Sequence, residues 1–130
     1  MPEVLAPANA EALVVADLKA QYAARSMTAV VGTEIRNTRP PLFTKVILAG
    51  GGSSYVSTAP MLIVECWAPT KIEAWNLSEV TVALVDSIWE RLGICSGVTH
   101  VGNPGFQPDP DSGTPRYVFT KVLHLRKHAL

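Results

Sequence analysis

Two aspartates in a short turn-rich segment are the residues of this sequence whose spacing most suggests chemistry. Asp109 and Asp111 stand in the run DPDSG, which resembles the start of a calcium-binding loop. The bidentate glutamate that completes such a loop is missing, because Arg116 and Tyr117 occupy its place. The segment therefore predicts an Asx-rich turn and not a metal site.

The histidines and cysteines lack the spacing of a ligand set or a nucleophile. His100, His124 and His128 are not at the i, i+4 spacing that places two ligands on one face of a helix. Cys66 and Cys95 form no CxxC motif, and the chain contains no GxSxG motif. We therefore expect a protein that is not an enzyme and that holds no metal and no cofactor.

A run of three glycines lies near the middle of the chain. Gly50, Gly51 and Gly52 are not followed by the Lys-Ser/Thr pair that a phosphate-binding loop needs. Apolar segments on both sides of the run indicate two strands. We therefore interpret the glycines as the turn of a β-hairpin.

A rival hypothesis keeps a ligand-binding or catalytic role for Asp109, Asp111 and His100. It predicts an apolar pocket inside one subunit, on which these polar groups converge. A protein that forms part of a larger assembly would instead bury its apolar surface in large interfaces between subunits.

Two helices are predicted to flank the hairpin. The first covers residues 8–25, which are rich in Ala and Leu. The second begins at a capping box in residues 70–73 and continues to Leu92, with Gly93 as its C-terminal signal. Its apolar residues share one broad arc, which includes Trp89.

Strands are predicted over residues 27–35, 43–49, 61–67, 98–102 and 117–126. A Gly/Ser turn joins the second strand to the third, and a Pro/Asp loop without periodicity precedes the last strand. This order predicts one α+β domain over residues 1–130, with both helices packed on one face of a mainly antiparallel sheet.

Composition narrows the possible function classes. Of 130 residues, 48% are hydrophobic and 17% are charged, and 11 basic and 11 acidic residues give a net charge of +0. A dedicated nucleic-acid-binding domain is strongly basic, so composition argues against one. An apolar chain with few charges has either a generous core or hidden subunit interfaces, and composition leaves both open.

The chain shows no targeting or membrane-spanning pattern. It has no basic segment followed by an apolar one at its start, and no run of 18 apolar residues. We therefore expect no secretory signal, no membrane partner and a cytosolic place of folding.

Charges are unevenly placed along the chain. Glu79, Asp86 and Glu90 fall together on the outer side of the second predicted helix, with Trp75 beside them. Basic residues without an acid occupy two segments, residues 35–64 and 116–130. Such segregation is typical either of solvated faces or of head-to-tail association between opposite patches.

Several short motifs occur in order along nearly the whole chain: VLAP with AEALVV near the start, NTRPPLF, the Gly50–Gly51 turn, ECWA, and PDPDSGTPRYVFT at residues 108–120. The last motif is the most specific. Together the motifs resemble those of the tail terminator proteins of long-tailed, siphovirus-type phages of actinobacteria.

The resemblance implies a structural virion protein of the tail or neck, assembled in the host cytoplasm. Such proteins are similar to one another in forming a small α/β sandwich that assembles as a hexameric ring on the tail tube. The ring ends polymerisation of the major tail tube protein and joins the tail to the head-completion (connector) protein. DNA passes through its lumen, which implies transient contact without sequence specificity. The alternative within the same apparatus is another neck or tail-tube protein.

The resemblance also suggests which residues form the interfaces. Arg39 and Arg116 lie where the motifs are densest. Arg116 is predicted to meet the acidic row of a neighbouring subunit, formed by Glu79, Asp86 and Glu90. The alternative is an intrachain surface pair worth under about 1 kcal/mol.

The remaining interface candidates lie in loops or on the second helix. Trp75 stands beside the acidic row on that helix. The hairpin tip at residues 50–55, with Gly50, Gly51 and Gly52, and the loop at residues 103–115, with Asp109 and Asp111, are predicted to order against the tube or the connector.

Overall fold

The computed structural model describes residues 3–34 and 40–130 of the chain. Two helices are present, α1 (Ala10–Ala24) and α2 (Lys71–Asp86), and a 3₁₀ turn (Ile88–Glu90) follows α2. The strands are β1 (Leu5–Ala6), β2 (Val30–Gly32), β3 (Phe43–Ser53), β4 (Ser57–Trp67), β5 (Cys95–His100), β6 (Gly105–Phe106), β7 (Arg116–Arg126) and β8 (His128–Ala129).

The main sheet has the strand order β2-β3-β4-β7-β5, and the short strand β6 also pairs with β7. Its pairs are antiparallel except for β2 and β3, which run parallel. β1 and β8 form a separate two-stranded pair between the two ends of the described chain. The predicted α+β class, with two helices and a mainly antiparallel sheet, is confirmed.

Both helices pack on the same face of the sheet. The core cluster joins buried residues of α1, such as Leu18, and of α2, such as Val85, to alternate residues of the strands. On β4 and β7 these alternate residues include Leu62, Val64 and Phe119. Strand side chains alternate between the two faces, so the helices cover one face of the sheet.

The other face of the sheet mixes half-buried apolar side chains with charged ones, such as Lys45, Glu65 and Arg116. We call it the open face; its apolar members are Ile47, Met61, Ile63, Val118 and Val122. The register places Ile47 opposite Ile63 and Met61 opposite Val122. An antiparallel sheet with one solvated face usually carries polar residues there, and on this face polar and apolar side chains are mixed.

A buried polar network joins the helices to the sheet. The Tyr22 hydroxyl of α1 lies 2.8 Å from the Thr44 hydroxyl and 2.5 Å from the Thr81 hydroxyl of α2. Burial raises the pKa of the neighbouring Cys66 thiol to about 12 and also raises the pKa of Tyr22. Both groups therefore stay neutral, as a dry interior requires.

The second helix is shorter than predicted. Its predicted start is right, since the Thr70 hydroxyl accepts a hydrogen bond from the Glu73 amide, but it ends at Asp86 and not at Leu92. The Ser87 hydroxyl donates to the Ala83 carbonyl, and this bond competes with the helical pattern. The chain then tightens into the 3₁₀ turn.

Arg91 secures the end of this helix. Its guanidinium donates to the Leu84 carbonyl at 2.7 Å and to both carboxylate oxygens of Asp17 on α1, each at 2.8 Å. Because the helical register stops at Asp86, Trp89 does not lie in the core as predicted; its side chain is 49% exposed.

The glycines of the hairpin are not at its turn. Gly50–Gly52 lie inside β3, at a β-bulge between Leu48 and Gly51, and the turn is made by residues 54–56. A Cβ atom at Gly51 would collide with the Ala59 carbonyl oxygen, and its φ is +119°. Gly51 is therefore needed for the bulge and not for the turn.

Other boundaries differ by a few residues. The first helix spans Ala10–Ala24, and β5 begins earlier than the predicted 98–102. The predicted strand over 27–35 is reduced to Val30–Gly32, and its last predicted residue, Ile35, lies outside the described residues. The Pro/Asp loop contains the strand β6, which was not predicted because two residues are too few to show an alternating pattern.

Candidate functional site

Three aromatic rings form a cluster at the end of the sheet where β7 begins. Tyr117 on β7 lies 5.4 Å from Trp75 on α2 and 5.3 Å from Phe106 on β6, measured between ring centroids. The Lys71 ammonium lies 4.6 Å above the Phe106 ring, a cation–π contact. We call Trp75, Phe106 and Tyr117 the aromatic cluster.

The aromatic cluster is accessible to a partner. The side chain of Trp75 is 41% exposed and that of Phe106 is 39% exposed. Ile72, one helical turn before Trp75, is 69% exposed. Residues three apart share a helix face, so Ile72 extends the same apolar surface.

The hairpin end is a second exposed apolar surface. Tyr55 and Val56, in the turn of the β3–β4 hairpin, are 64% and 58% exposed. Hydrogen bonds hold the turn: the Ser54 amide donates to the Ser57 carbonyl, and the Lys127 amide donates to the Val56 carbonyl. The Tyr55 hydroxyl donates to the Glu3 carbonyl at 2.6 Å. We call Tyr55 and Val56 the hairpin end.

Arg116 has its partners within its own chain. Its Nη1 lies 3.3 Å from Glu65 Oε2, its Nε donates to the Gln107 carbonyl at 2.8 Å, and its guanidinium lies over the Trp67 ring. Its side chain is largely buried. The structure thus shows Arg116 in an intrachain ion pair with Glu65, and its contact with the acidic residues of a neighbouring subunit stays a prediction.

The predicted acidic row is not continuous. Asp86 Oδ1 lies 2.9 Å from Lys121 Nζ and 3.3 Å from His100 Nδ1. Neither contact of this oxygen has hydrogen-bond geometry, and the attraction is that between the opposite charges of Asp86 and Lys121. Glu79 and Glu90 are exposed, but Glu90 lies in the 3₁₀ turn, outside the register of α2.

Lys121 is the charged residue that sequence reasoning misplaced. Lys121 belongs to the basic segment at residues 116–130, yet its ammonium is nearly buried between α2 and the sheet. The sequence carried a signal for this position, since Lys121 shares its strand face with Phe119, Leu123 and Leu125. Its Nζ also donates to His100 Nδ1 at 2.8 Å.

The Asp109 segment forms the predicted turn. The Asp109 carboxylate accepts hydrogen bonds from the amide and the hydroxyl of Ser112, at 3.0 and 2.6 Å. These bonds hold the pKa of Asp109 below its usual value. Asp111 is exposed.

The structure does not join the aspartates to a histidine. Asp109 bonds to Ser112, whereas His100 contacts Lys121 and Asp86. Within residues 3–34 and 40–130, no three His, Cys, Asp or Glu side chains are grouped closely enough to hold a metal ion. Three surface grooves, one of them between α1 and β2, are lined by other residues.

Two further points concern the predicted partners. Arg39 lies outside the described residues, so its predicted interface role stays a prediction. Neither described helix has the length and apolar character needed to span a bilayer.

Phe106, Tyr117 and Ile72 were not predicted as interface residues. Phe106 stands in a loop without periodicity, and only its pairing with Tyr117 across β6 and β7 brings it to Trp75. The sequence did show Ile72 as an apolar residue in the first turn of the second predicted helix, outside its apolar arc, and such a residue indicates an exposed apolar site.

Comparison with known proteins adds no relative: no family model matches the chain, and no curated protein matches it.

Proposed function

We propose that this protein is the subunit of a homomeric, hexameric ring that caps a phage tail tube, ends its polymerisation and joins it to the connector. The observation that carries the proposal is the ordered set of motifs along the chain, above all PDPDSGTPRYVFT at residues 108–120. In the fold this motif supplies the Asp109 turn and the first part of β7.

The distribution of apolar surface supports an assembly role. The apolar side chains of the open face, the aromatic cluster and the hairpin end lie outside the core. Exposed apolar surface of this kind favours association between proteins. These surfaces support the alternative of hidden interfaces over that of a generous core.

The charge balance suits a ring around DNA. A protein that neutralises many phosphates binds DNA tightly and in a salt-dependent manner. The chain has a net charge of +0, and Arg91, Arg116 and Lys121 already pair with carboxylates of the same subunit, so it lacks the strong excess of positive charge that tight binding to phosphates needs. Such a lumen contacts DNA transiently and lets the genome pass.

Tail length is the direct test of the termination role. Electron microscopy compares tails assembled with and without this protein, the other tail proteins being present in both. We expect overlong tails of variable length when the protein is omitted, and tails of uniform length when the purified protein is added back.

Three results would contradict the proposal. Tails of normal length without the protein would remove the termination role. Tubes built by this chain alone would make it a tube subunit. A defect confined to joining, with normal tail length, would make it another neck protein.

A further inference from the structure

We propose that the protein cross-links itself: Lys121 on β7 and Asp86 at the end of α2 condense to an isopeptide bond, with His100 on β5 as the proton carrier. The three side chains come from three separate elements that the fold brings to one point. This inference uses only contacts within one subunit and does not depend on the proposed ring.

The three groups lie within reach of one another. Asp86 is the last residue of α2, and the register pairs His100, the last residue of β5, with Lys121. Lys121 Nζ lies 2.9 Å from Asp86 Oδ1 and 2.8 Å from His100 Nδ1, and Nδ1 lies 3.3 Å from Oδ1. A condensation needs this arrangement, because its proton must leave the amine and reach the departing oxygen.

The reacting atoms are held away from water. The Lys121 side chain is 4% exposed, and Asp86 Oδ1 is buried although the side chain as a whole is 34% exposed. Transfer of one proton from the ammonium to the carboxylate removes both charges and leaves a neutral amine and a neutral acid, which are the forms that condense. A dry site favours the neutral pair, because buried charges are costly.

Asp86 Oδ1 is a buried polar atom that the ion pair leaves unsatisfied. It accepts no hydrogen bond, although buried polar atoms in native proteins nearly always have a partner. The Lys121 ammonium donates to His100 Nδ1 instead. No hydrogen bond between Lys121 and Asp86 therefore has to break before Nζ moves onto the carboxyl carbon, and departure of Oδ1 as water removes the unsatisfied atom.

The reaction is a condensation in which nothing is oxidised or reduced. The neutral Nζ attacks Cγ of Asp86, whose Oδ1 carries the proton from the ammonium, and an Nζ–Cγ bond forms. His100 Nδ1 takes a second proton from Nζ and gives it to the Oδ1 hydroxyl. The Cγ–Oδ1 bond then breaks, water leaves, and the carbonyl re-forms at Oδ2. The product is a secondary amide between the two side chains.

Positioning is what favours this bond. Bulk water favours hydrolysis of an amide, whereas groups that are fixed in contact react as though their concentration were about 10⁵–10⁸ M. Lys121 is fixed in the ladder between β4 and β5, and Asp86 is fixed by α2. The bond also closes a loop of residues 86–121, which lowers the entropy of the unfolded chain.

The mass of the intact wild-type chain tests the bond. We expect electrospray mass spectrometry to give a mass one water below the value calculated from the sequence. Digestion with trypsin should give a branched peptide that joins Asp86 to Lys121, with no cleavage after Lys121. Both measurements use the unmodified protein, so they do not depend on the folding of a variant.

Three variants assign the lost water. Lys121→Met and Asp86→Ala each remove one reacting group, and each should show the full mass of its own sequence. Asp111→Ala is the control: Asp111 is exposed in a turn, where an aspartate can lose water to its own backbone as a succinimide. This variant should keep the lower mass. Circular dichroism verifies that all three variants fold.

The role of His100 is tested by the rate of bond formation after cell-free synthesis of the chain. We expect His100→Ala to form the bond about 100-fold more slowly, in line with the usual effect of a positioned proton carrier. Imidazole in the buffer should restore part of the rate, because the His100 side chain is 60% exposed and a small base can take its place. A purely structural role would not respond to imidazole, and an unchanged rate in His100→Ala would remove His100 from the reaction.

A wild-type chain that keeps its full sequence mass after prolonged incubation in the folded state would overturn the cross-link. So would a lower mass that persists in Lys121→Met or disappears in Asp111→Ala. None of these results concerns tail length, so the cross-link and the termination role stand or fall separately.

Discussion

The Tyr22 hydroxyl is the polar group on which the inner packing of the helices most depends. It bonds to Thr44 of the sheet and to Thr81 of α2, all three being buried. Tyr22→Phe leaves both threonine hydroxyls without this partner, so we expect a loss of about 1–3 kcal/mol in the free energy of unfolding. Tyr55→Phe, which removes an exposed hydroxyl, should cost under about 0.5 kcal/mol.

Urea unfolding measures both variants at one fixed protein concentration, because the stability of a protein that associates depends on its concentration. Equal losses for Tyr22→Phe and Tyr55→Phe would show that the buried network adds nothing.

The buried Cys66 thiol predicts a loss of stability in alkaline solution. Its pKa is raised from 9.0 to about 12 in the folded chain. Between these values the unfolded chain releases this proton and the folded chain keeps it. The free energy of unfolding therefore falls as pH rises, by about 1.4 kcal/mol per pH unit from this group.

Burial of Tyr22 acts in the same direction above pH 10. The control for the thiol is Cys66→Ala, whose stability should fall less steeply between pH 9 and pH 10. Parallel pH profiles for wild type and Cys66→Ala would contradict the assignment.

Single residues show what the sequence could predict of the site. The Asx turn at Asp109 was predictable, because its bonds to Ser112 are local. Lys121 could have been placed by its strand parity. The partners of Arg116 could not, since Glu65 and Gln107 come from separate elements that only the sheet register brings together.

At the scale of elements, the bulge in β3 sets the shape of the hairpin. Gly51→Ala forces a methyl group against the Ala59 carbonyl at a φ of +119°. We expect it to cost about 2 kcal/mol or more of stability. Gly52→Ala meets open space and should cost under about 1 kcal/mol. Thermal unfolding compares the two, and equal melting temperatures would argue against a bulge at Gly51.

The helices and strands were largely predictable because their patterns are local. The capping residue Thr70 fixed the start of α2, and alternation fixed most of β7. The predicted end of α2 was wrong because the helix end depends on the Ser87 hydroxyl and on the ion pair between Arg91 and Asp17, which are far apart in sequence. The predicted position of the hairpin turn was wrong because a run of glycines is compatible with a β-bulge as well as with a turn.

At the scale of the whole molecule, the charges that sum to a net charge of +0 fall into two groups. Some charges pair inside the subunit, as Arg116 with Glu65 and Lys121 with Asp86. Others, such as Glu79 and Glu90, stay exposed. The predicted segregation of charge between acidic and basic patches is therefore weaker than the sequence suggested, and apolar surfaces become the better basis for assembly.

The measurement that tests the central claim most directly is the native mass of the wild-type chain, by native mass spectrometry over a range of protein concentrations. A ring-forming terminator predicts one closed oligomer of six times the 14.0 kDa chain mass. Monomers alone at every concentration, or an open-ended ladder of masses, would contradict it.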